Sequence, residues 1–309
     1  MSDVPSWREV IAAVAGDRDS GSWAIARRAA NGVSLAAAEG EAALREATRQ
    51  LLAGQPAMAA LWNLANAVAW AWTETPVAGE RRVEAVMRAV RDYVARGDEA
   101  AGAISAQAAA LLRAGGAARA VTISNSSVVA SALAAWGGPV LVLESRPRCE
   151  GRTLARLLAA QGVAVALAVD AAARVLLERG DAILLGADAV CVQGISNKIG
   201  SWTLAAAARD RRLPVYALAG SEKWWPQPLA EPAGTGEAQR DPREVLPEPL
   251  PGVAVRNPYF ETVPFALVTA VVTSEGPCSP RAVRARLARW RIHPWLRQLH
   301  APAGPGCPS

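Results

Sequence analysis

The sequence is poor in lysine, histidine and cysteine. Only two of its 33 basic residues are lysines, Lys198 and Lys223, and its two histidines, His293 and His300, lie in the tail. The four cysteines show no CxxC spacing. We therefore expect no metal site, no cofactor and no disulfide framework, and this cysteine usage fits a reducing cytoplasm. In so arginine-biased a composition, each lysine is a candidate for a specific role.

Long apolar runs are also absent. No stretch reaches the roughly 18 residues that a membrane helix needs. Residues 1–16 lack the basic start and the apolar middle of a signal peptide. We therefore expect a cytoplasmic protein without membrane contact. The net charge of +5 over 309 residues permits anionic ligands without demanding nucleic acid, which we do not expect as a partner.

The residue pattern changes once along the chain. Residues 1–115 show helical periodicity, whereas short β-rich runs alternate with helical segments from residue 116 onwards. We predict an α/β protein with a helical N-terminal domain, 1–115, followed by a Rossmann-like parallel-sheet C-terminal domain, 116–309. The predicted helices of the first domain are 7–15, 22–31, 35–52, 58–72 and 81–114, and Pro56 is expected to open the fourth. The predicted strands are 120–123, 139–143, 163–169, 182–185 and 214–219.

Two segments interrupt this pattern. A Pro/Glu/Gly-rich insertion at about 229–252 has no periodicity, and we expect a disordered surface loop there rather than a functional lid. The tail, 281–300, interleaves arginines with Trp290 and Trp295. It could stack on nucleic acid, but we favour an amphipathic closing helix. No G-x-G-x-x-G follows the first strand, so a dinucleotide site is not supported.

Polar residues follow three of the predicted strands where each strand ends. Ser124–Ser127 follow the first, a loop with three arginines and two glutamates (144–152) follows the second, and Asp188 follows the fourth. Open parallel sheets bind their ligands at the carboxyl ends of the strands. The serine-rich turn either caps the next helix or binds a phosphate with its N–H groups, and the charged loop is either solvated or an anion site.

A further anion site is predicted where a helix over 202–212 should begin. Asn197, Lys198 and Gly200 precede this helix, whose first-turn N–H groups are free, and Lys198 adds a mobile positive charge. The alternative is an acidic strand end, a turn and a capped surface helix.

Several motifs together resemble a known family. They are Glu144-Ser-Arg-Pro-x-x-Glu-Gly-Arg152, Gly186-Ala-Asp188, Asn197-Lys-Ile-Gly200, Asn257-Pro-Tyr-Phe-Glu261 and Val271-Val-Thr-Ser-Glu-Gly276, with a weaker similarity at Arg18–Arg28. Their order is similar to that in the initiation factor 2B alpha, beta and delta subunits. The same family contains methylthioribose-1-phosphate isomerase and ribose-1,5-bisphosphate isomerase. The resemblance implies a sugar-phosphate pocket between the two domains and a homodimer formed through the C-terminal one.

The resemblance also assigns site residues. It implies that Asp188 is the catalytic aspartate, and it places Ser124 where the isomerases carry the cysteine of a Thr-x-Cys-Asn turn. The candidate substrate-binding residues are Arg18, Ser20, Gly21, Gln55, Asn125, Ser126, Ser127, Arg146, Arg148, Glu150, Asn197 and Lys198.

Three positions depart from the pattern of the isomerases. Serine at 124 is a far weaker acid than a thiol, and no histidine lies nearby in the sequence to activate it. Gln55-Pro-Ala stands in what resembles the Arg-Pro-Thr of the phosphate-binding helix, so a charged donor is lost. Glu150 occupies the place of a glutamine and adds negative charge to a site for anions.

Two functions follow from this comparison. We favour a non-catalytic or regulatory protein that binds a phosphorylated sugar or nucleotide between its domains and acts through its dimer. The alternative is an aldose–ketose isomerase for a C1-phosphorylated pentose, of the ribose 1,5-bisphosphate or methylthioribose 1-phosphate type. In that case Asp188 is the acid/base and Ser124 only a hydrogen-bond partner. The alternative requires that burial raise the pKa of Asp188.

Overall fold

Five helices precede the first strand. The computed structural model describes residues 5–17, 20–76, 79–226, 229 and 240–299. The helices are α1 (Trp7–Gly16), α2 (Ser22–Glu39), α3 (Glu41–Gly54), α4 (Ala59–Glu74) and α5 (Glu80–Ala114). α1 begins with a capping box, in which the side chains of Ser6 and Glu9 each accept a hydrogen bond from the other's backbone N–H. The prediction of a helical N-terminal region is confirmed.

Two predicted helix boundaries in this region are wrong. The sequence predicts a break between residues 31 and 35, but α2 continues to Glu39. Gly32 is a packing residue rather than a helix stop, because a Cβ there would lie 2.7 Å from Ile11 Cδ1 of α1. The sequence also predicts that Pro56 opens a helix, but Pro56 lies in a turn and α4 begins at Ala59.

A seven-stranded sheet forms the core of the second half. Numbered in chain order, its strands are β1 (Arg119–Ile123), β2 (Val140–Leu143), β3 (Val165–Ala168), β4 (Asp181–Leu185), β7 (Val215–Leu218), β9 (Ala270–Thr273) and β10 (Gly276–Cys278). The helices between them are α6 (Ser127–Trp136), α7 (Glu150–Ala160), α8 (Ala173–Leu176) and α9 (Ser201–Asp210). The spatial order is β10-β9-β7-β4-β1-β2-β3, and β10 runs antiparallel to β9 whereas the other neighbours are parallel. The predicted parallel sheet is confirmed, and its five predicted strands match to within two residues at either end.

The strand order reverses between β1 and β4. The chain adds β2 and β3 on one side of β1 and then returns to place β4 on the other side. Ligands of open parallel sheets bind outside the carboxyl ends of the strands at such a switch point. Ser124 follows β1 and Asp188 follows β4. The topology therefore places the two candidate catalytic residues on either side of this position.

A small antiparallel sheet is formed by β5 (Ala189–Val190), β6 (Gly194–Lys198) and β8 (Phe260–Pro264). Asn197 and Lys198, predicted to lead into a helix, are the last residues of β6, and Lys198 pairs with Phe260. The prediction that these residues precede a helix is confirmed, because α9 begins at Ser201, one residue before the predicted start, with Gly200 as its N-cap. The strand β6 was not predicted, since its partner β8 lies far away in the sequence.

The insertion is described only in part, since residues 230–239 lie outside the described residues. The prediction of a disordered loop is wrong for the part that follows. Residues Pro242–Glu244 form a 3-10 turn, and Asn257 donates a hydrogen bond of 2.8 Å to the Asp241 carbonyl. At the other end of the insertion, Leu229 is buried in the core of the helical half.

The tail forms two short helices, α10 (Pro280–Leu287) and α11 (Pro294–Leu299), rather than one closing helix. Trp295 is 8% exposed, and the indole N–H of Trp290 donates a 2.7 Å hydrogen bond to Asn63. Both rings therefore contribute to packing of the tail against the protein. None of the described helices is long and apolar enough to cross a lipid bilayer.

The 35-residue helix α5 packs on both halves of the molecule. Val86 and Tyr93 belong to the core of the helical half, whereas Ile104 and Leu112 belong to a core formed with the sheet. The division into domains at residue 115 stays a prediction.

Candidate active site

Strained backbone conformations are concentrated at the carboxyl edge of the sheet. Four non-glycine residues in the described part of the chain have positive φ, and three of them are Ser124, Ser145 and Cys149. The Ser124 N–H donates a 2.6 Å hydrogen bond to Ser145 Oγ, which joins the turns after β1 and β2. Such conformations cost about 1–3 kcal/mol each and cluster at functional sites.

Asp188 lies where the helical half meets the sheet. Its carbonyl accepts a hydrogen bond of 3.3 Å from the N–H of Ala59, at the start of α4. Although the residue keeps some contact with solvent, burial raises the pKa of its carboxyl group, and Lys223, the Ser22 hydroxyl and Lys198 oppose this rise. The structure thus meets the requirement of the isomerase hypothesis.

Two residues beside Asp188 were missed in the sequence. Lys223 follows β7, is 7% exposed and donates a hydrogen bond from Nζ to Ser22 Oγ. Ser22 is the first residue of α2 and also bonds the Asp188 carboxyl group. These three residues form a polar link across the junction of the two halves. The position of Lys223, one of two lysines and just beyond a predicted strand, was the signal that could have identified it.

Lys198 is fixed rather than mobile. Its Nζ donates a 2.8 Å hydrogen bond to Glu150 Oε1 in the first turn of α7, and the residue is only 3% exposed. The same Nζ lies 4.2 Å from the centroid of the Tyr259 ring. The prediction of a mobile positive charge is therefore wrong, because a carboxylate already neutralises the ammonium.

The N-terminus of α9, a predicted anion site, is occupied by Glu261. The carboxylate accepts a 2.9 Å hydrogen bond from the Trp202 N–H and also interacts with the N–H groups of Gly200 and Ser201. Burial raises the pKa of Glu261, and these three N–H groups oppose the rise. Asn197 is directed to the same turn, where its Nδ2 donates a 2.9 Å hydrogen bond to Ser201 Oγ. This helix end therefore offers no free first turn to a ligand.

The serine-rich turn before α6 is open. Ser126 is the N-cap residue, but its side chain caps none of the N–H groups, and Asn125 and Ser127 are exposed. Gly186 lets the end of β4 approach this turn, because a Cβ there would lie 2.8 Å from Ser126 Cβ. The first turn of α6 is the helix N-terminus at this edge that could accept an anion.

The loop after β2 is shaped by Asp170. Its carboxylate accepts hydrogen bonds from the N–H groups of Ser145, at 2.7 Å, and Arg146, at 2.6 Å. The side chain of Arg146 is exposed and forms no ion pair within the described ranges. Arg148 Nε lies 4.0 Å from Glu244 Oε1. Arg146 is therefore the better placed of the two arginines to receive an anionic ligand.

In the helical half, Asp17 accepts hydrogen bonds from two of the predicted site residues, Gln55 and Ser20. Gln55 is 6% exposed, and its Nε2 donates a 2.5 Å hydrogen bond to the Asp17 carbonyl. The N–H of Ser20 donates a 2.9 Å hydrogen bond to Asp17 Oδ1, and Gly21 is the N-cap residue of α2. Arg18 lies outside the described residues. The ligand-binding roles of these residues stay predictions.

The arrangement suits proton transfer on an anionic ligand. Asp188 can hold a proton, the α6 N-terminus can accept a negative charge, and Arg146 and Lys223 add positive charge. Within residues 5–17, 20–76, 79–226, 229 and 240–299, no cluster of His, Cys, Asp or Glu is arranged to hold a metal ion.

The chain is similar to known proteins in sequence and in fold. The sequence model of the initiation factor 2 subunit family matches residues 18–280. The ribose 1,5-bisphosphate isomerase of Haloferax volcanii is 32% identical over 279 residues, which cover 85% of each chain. That of Archaeoglobus fulgidus is 36% identical over 144 residues, 46% of each chain, so the chain spans about half the length of this curated relative. The methylthioribose-1-phosphate isomerase of Pelotomaculum thermopropionicum is 34% identical over 151 residues, 44% of this chain and 40% of the relative.

Among solved structures, the translation initiation factor eIF-2B of Pyrococcus horikoshii OT3 superposes with a TM-score of 0.74 at 24% identity, covering 90% of this chain and 98% of that one. At this identity the likeness concerns the fold alone. The sequence relatives bear the names of sugar-phosphate isomerases. They favour the isomerase alternative over the non-catalytic function preferred from the sequence. The chain belongs to the initiation factor 2 subunit family.

Proposed function

We propose that this chain is an aldose–ketose isomerase that converts a pentose phosphorylated on C1 into the ketose 1-phosphate, with Asp188 as the acid/base. The observation that carries the proposal is the position of Asp188 at the switch point of the sheet, beside Ser22 and Lys223, where burial raises the pKa of its carboxyl group. A raised pKa makes a carboxyl group better able to hold a proton and to give it to a substrate. The names of the sequence relatives support the substrate class.

The conversion moves one hydrogen from C2 to C1. The phosphate on C1 blocks ordinary ring opening, so protonated Asp188 gives its proton to the ring oxygen while the bond from C1 to that oxygen breaks. The hydride on C2 then shifts to the electron-deficient C1. The C2 hydroxyl returns a proton to the Asp188 carboxylate as the C2 carbonyl forms. Asp188 regains at the end the proton that it gave up at the start, so one acid/base group suffices and the route needs no cofactor.

This route is compatible with serine in the turn after β1. Ser124 is too weak an acid to exchange protons readily, and no histidine lies nearby in the sequence to activate it. Its hydroxyl can still hydrogen-bond a sugar oxygen at the switch point. For the phosphate we propose the open first turn of α6 together with Arg146, because neither is occupied by a described carboxylate.

A non-catalytic binder of a phosphorylated sugar or nucleotide is the second candidate. Serine at position 124 favours it, and so does Gln55, whose amide nitrogen is directed at the Asp17 carbonyl rather than towards a ligand.

One experiment separates the two functions. The purified chain is incubated with ribose 1-phosphate, ribose 1,5-bisphosphate and methylthioribose 1-phosphate, and 13C NMR follows the appearance of a C2 carbonyl. Calorimetry measures binding of the same three sugars. Turnover of any of them supports the isomerase. Binding without turnover of any supports the binder.

We further propose a cytoplasmic homodimer formed through the β3 edge of the sheet. β3 is the last strand on its side of the sheet, and such an edge leaves backbone groups free to pair. Leu157 of α7, Leu167 of β3 and Val169 are 45%, 48% and 55% exposed. A second copy of the chain would cover these apolar side chains.

A further inference from the structure

The described end of the insertion is tied to the candidate site through Glu244. Its carboxylate accepts a hydrogen bond from the Tyr259 O–H and one of 2.9 Å from Asn257 Nδ2. Glu244 Oε1 also lies 4.0 Å from the Nε of Arg148, in the loop after β2. One carboxylate thus joins the insertion to the loop after β2 and to the residues that lead into β8.

Tyr259 extends this contact to Lys198. Tyr259 is 6% exposed, and its ring centroid lies 4.2 Å from Lys198 Nζ. An ammonium is attracted to the face of an aromatic ring, so the placement of the ring influences that of the ammonium. Burial and the hydrogen bond to Glu244 raise the pKa of Tyr259, which keeps its phenol a donor. The other partner of Lys198 is Glu150.

We propose that Glu244 is a positioning residue for Lys198, on which it acts through the ring of Tyr259. A carboxylate does not bind a phosphate itself, so its contribution to ligand binding is indirect. Cations that are already held in place lose less conformational freedom when a ligand binds. The inference rests on the proposed function only in taking the ligand to be a phosphorylated sugar.

A purely structural role for Glu244 makes a different prediction. If the carboxylate only fastens the insertion to β8, its removal lowers the stability of the fold and leaves the Lys198 side chain where it is. The position of Lys198 therefore distinguishes the two roles.

Lys198 can be observed directly because the chain has only two lysines. In protein labelled with 13C,15N-lysine, the side-chain NMR signals are assigned with Lys223→Arg. We expect Tyr259→Phe and Glu244→Ala to shift the Lys198 signals and to leave those of Lys223 in place. Glu244→Gln, which keeps an acceptor for the phenol, should shift the Lys198 signals less.

Glu248→Gln, at an exposed position of the same segment, is the matched control. Unshifted Lys198 signals in the folded Tyr259→Phe protein would overturn the proposal.

Calorimetry with ribose 1,5-bisphosphate tests the consequence for binding. We expect Glu244→Ala and Tyr259→Phe each to raise Kd about tenfold, or roughly 1.4 kcal/mol. The double variant should lose clearly less than the product of the two factors, because both residues act on the same ammonium. If the Kd of the double variant instead rises by the full product of the two factors, the two residues act independently and the proposal is contradicted. If the wild-type chain binds none of the three sugar phosphates, the proposed function fails, and the lysine spectra still decide the role of Glu244.

Discussion

The ammonium of Lys198 and the carboxylate of Glu150 form an ion pair of 2.8 Å at the carboxyl edge of the sheet, with side-chain exposures of 4% and 28%. The second carboxylate oxygen of Glu150 is buried and has no hydrogen-bond partner in the described part of the chain. A buried acceptor without a donor is unfavourable. Before a ligand arrives, the site therefore holds a neutralised cation and a carboxylate whose hydrogen bonding is incomplete.

The pair predicts opposite effects of Glu150→Gln on stability and on binding. Without ligand, the free energy of unfolding should fall by about 1–3 kcal/mol, because Lys198 loses its buried counterion but keeps a hydrogen-bond acceptor. The affinity for ribose 1,5-bisphosphate should rise about tenfold, since the ammonium becomes available to a phosphate. Urea denaturation and calorimetry measure the two quantities.

The control for this prediction is Glu275→Gln. Glu275 pairs with Arg286 at 2.7 Å in an exposed ion pair, so its loss should change stability by no more than about 1 kcal/mol. Weaker sugar-phosphate binding in Glu150→Gln would mean that Glu150 contacts the ligand rather than competing with it.

The architecture could be predicted because its signals are local. Each of the five predicted strands is a short apolar run, and the helices of the N-terminal half carry their own periodicity, whereas β9 and β10 were not predicted. The carboxyl ends of β1 and β4 then bring Ser124 and Asp188 to one edge by topology alone. The raised pKa of Asp188 could not be predicted, because it comes from burial by the protein around the carboxyl group, against the opposing effects of Lys223 and Ser22 from distant elements.

The features of the site that the sequence did not show are contacts between segments that lie apart in the chain. Lys198 precedes α9 as predicted, but its own segment is the strand β6, which pairs with the distant strand β8. Glu261 of the same strand closes the N-terminus of α9, which therefore cannot serve as the predicted anion site. Glu244 lies in a segment without periodicity, so nothing local shows that its carboxylate bonds Tyr259.

The exposed β3 edge predicts a homodimer. The wild-type chain should be dimeric at micromolar concentration in light scattering, and Leu167→Asp should give monomers because it places a charge in the interface. Leu250→Asp is the matched control, since Leu250 is 54% exposed but lies in the insertion, outside the sheet. A monomeric wild-type chain, or a Leu167→Asp variant that remains dimeric, would contradict the proposed interface.

The raised pKa of Asp188 predicts a pH dependence of stability. The folded state binds this proton more tightly than the unfolded state does. The free energy of unfolding should therefore fall as the pH rises from the usual Asp pKa of about 3.9 through the raised value, and level off above it. Asp188→Asn should lack this decline, so its stability relative to wild type should increase with pH. Burial also raises the pKa of Glu222 and Glu261, but both chains contain them, and the difference isolates Asp188. A difference independent of pH in urea denaturation would contradict the raised pKa.

Asp188→Asn also tests the chemistry. The amide keeps the shape and hydrogen-bonding reach of the carboxyl group but cannot transfer its proton, so turnover should fall at least ~10²-fold while sugar-phosphate binding survives.

Ser124→Cys is the companion variant, because it restores the thiol that the isomerases similar to this chain carry at that turn. In a one-group mechanism it should alter turnover far less than Asp188→Asn does. If wild type and Ser124→Cys are both inert on all three sugars although they bind one of them, the isomerase proposal fails for these substrates and the non-catalytic function stands.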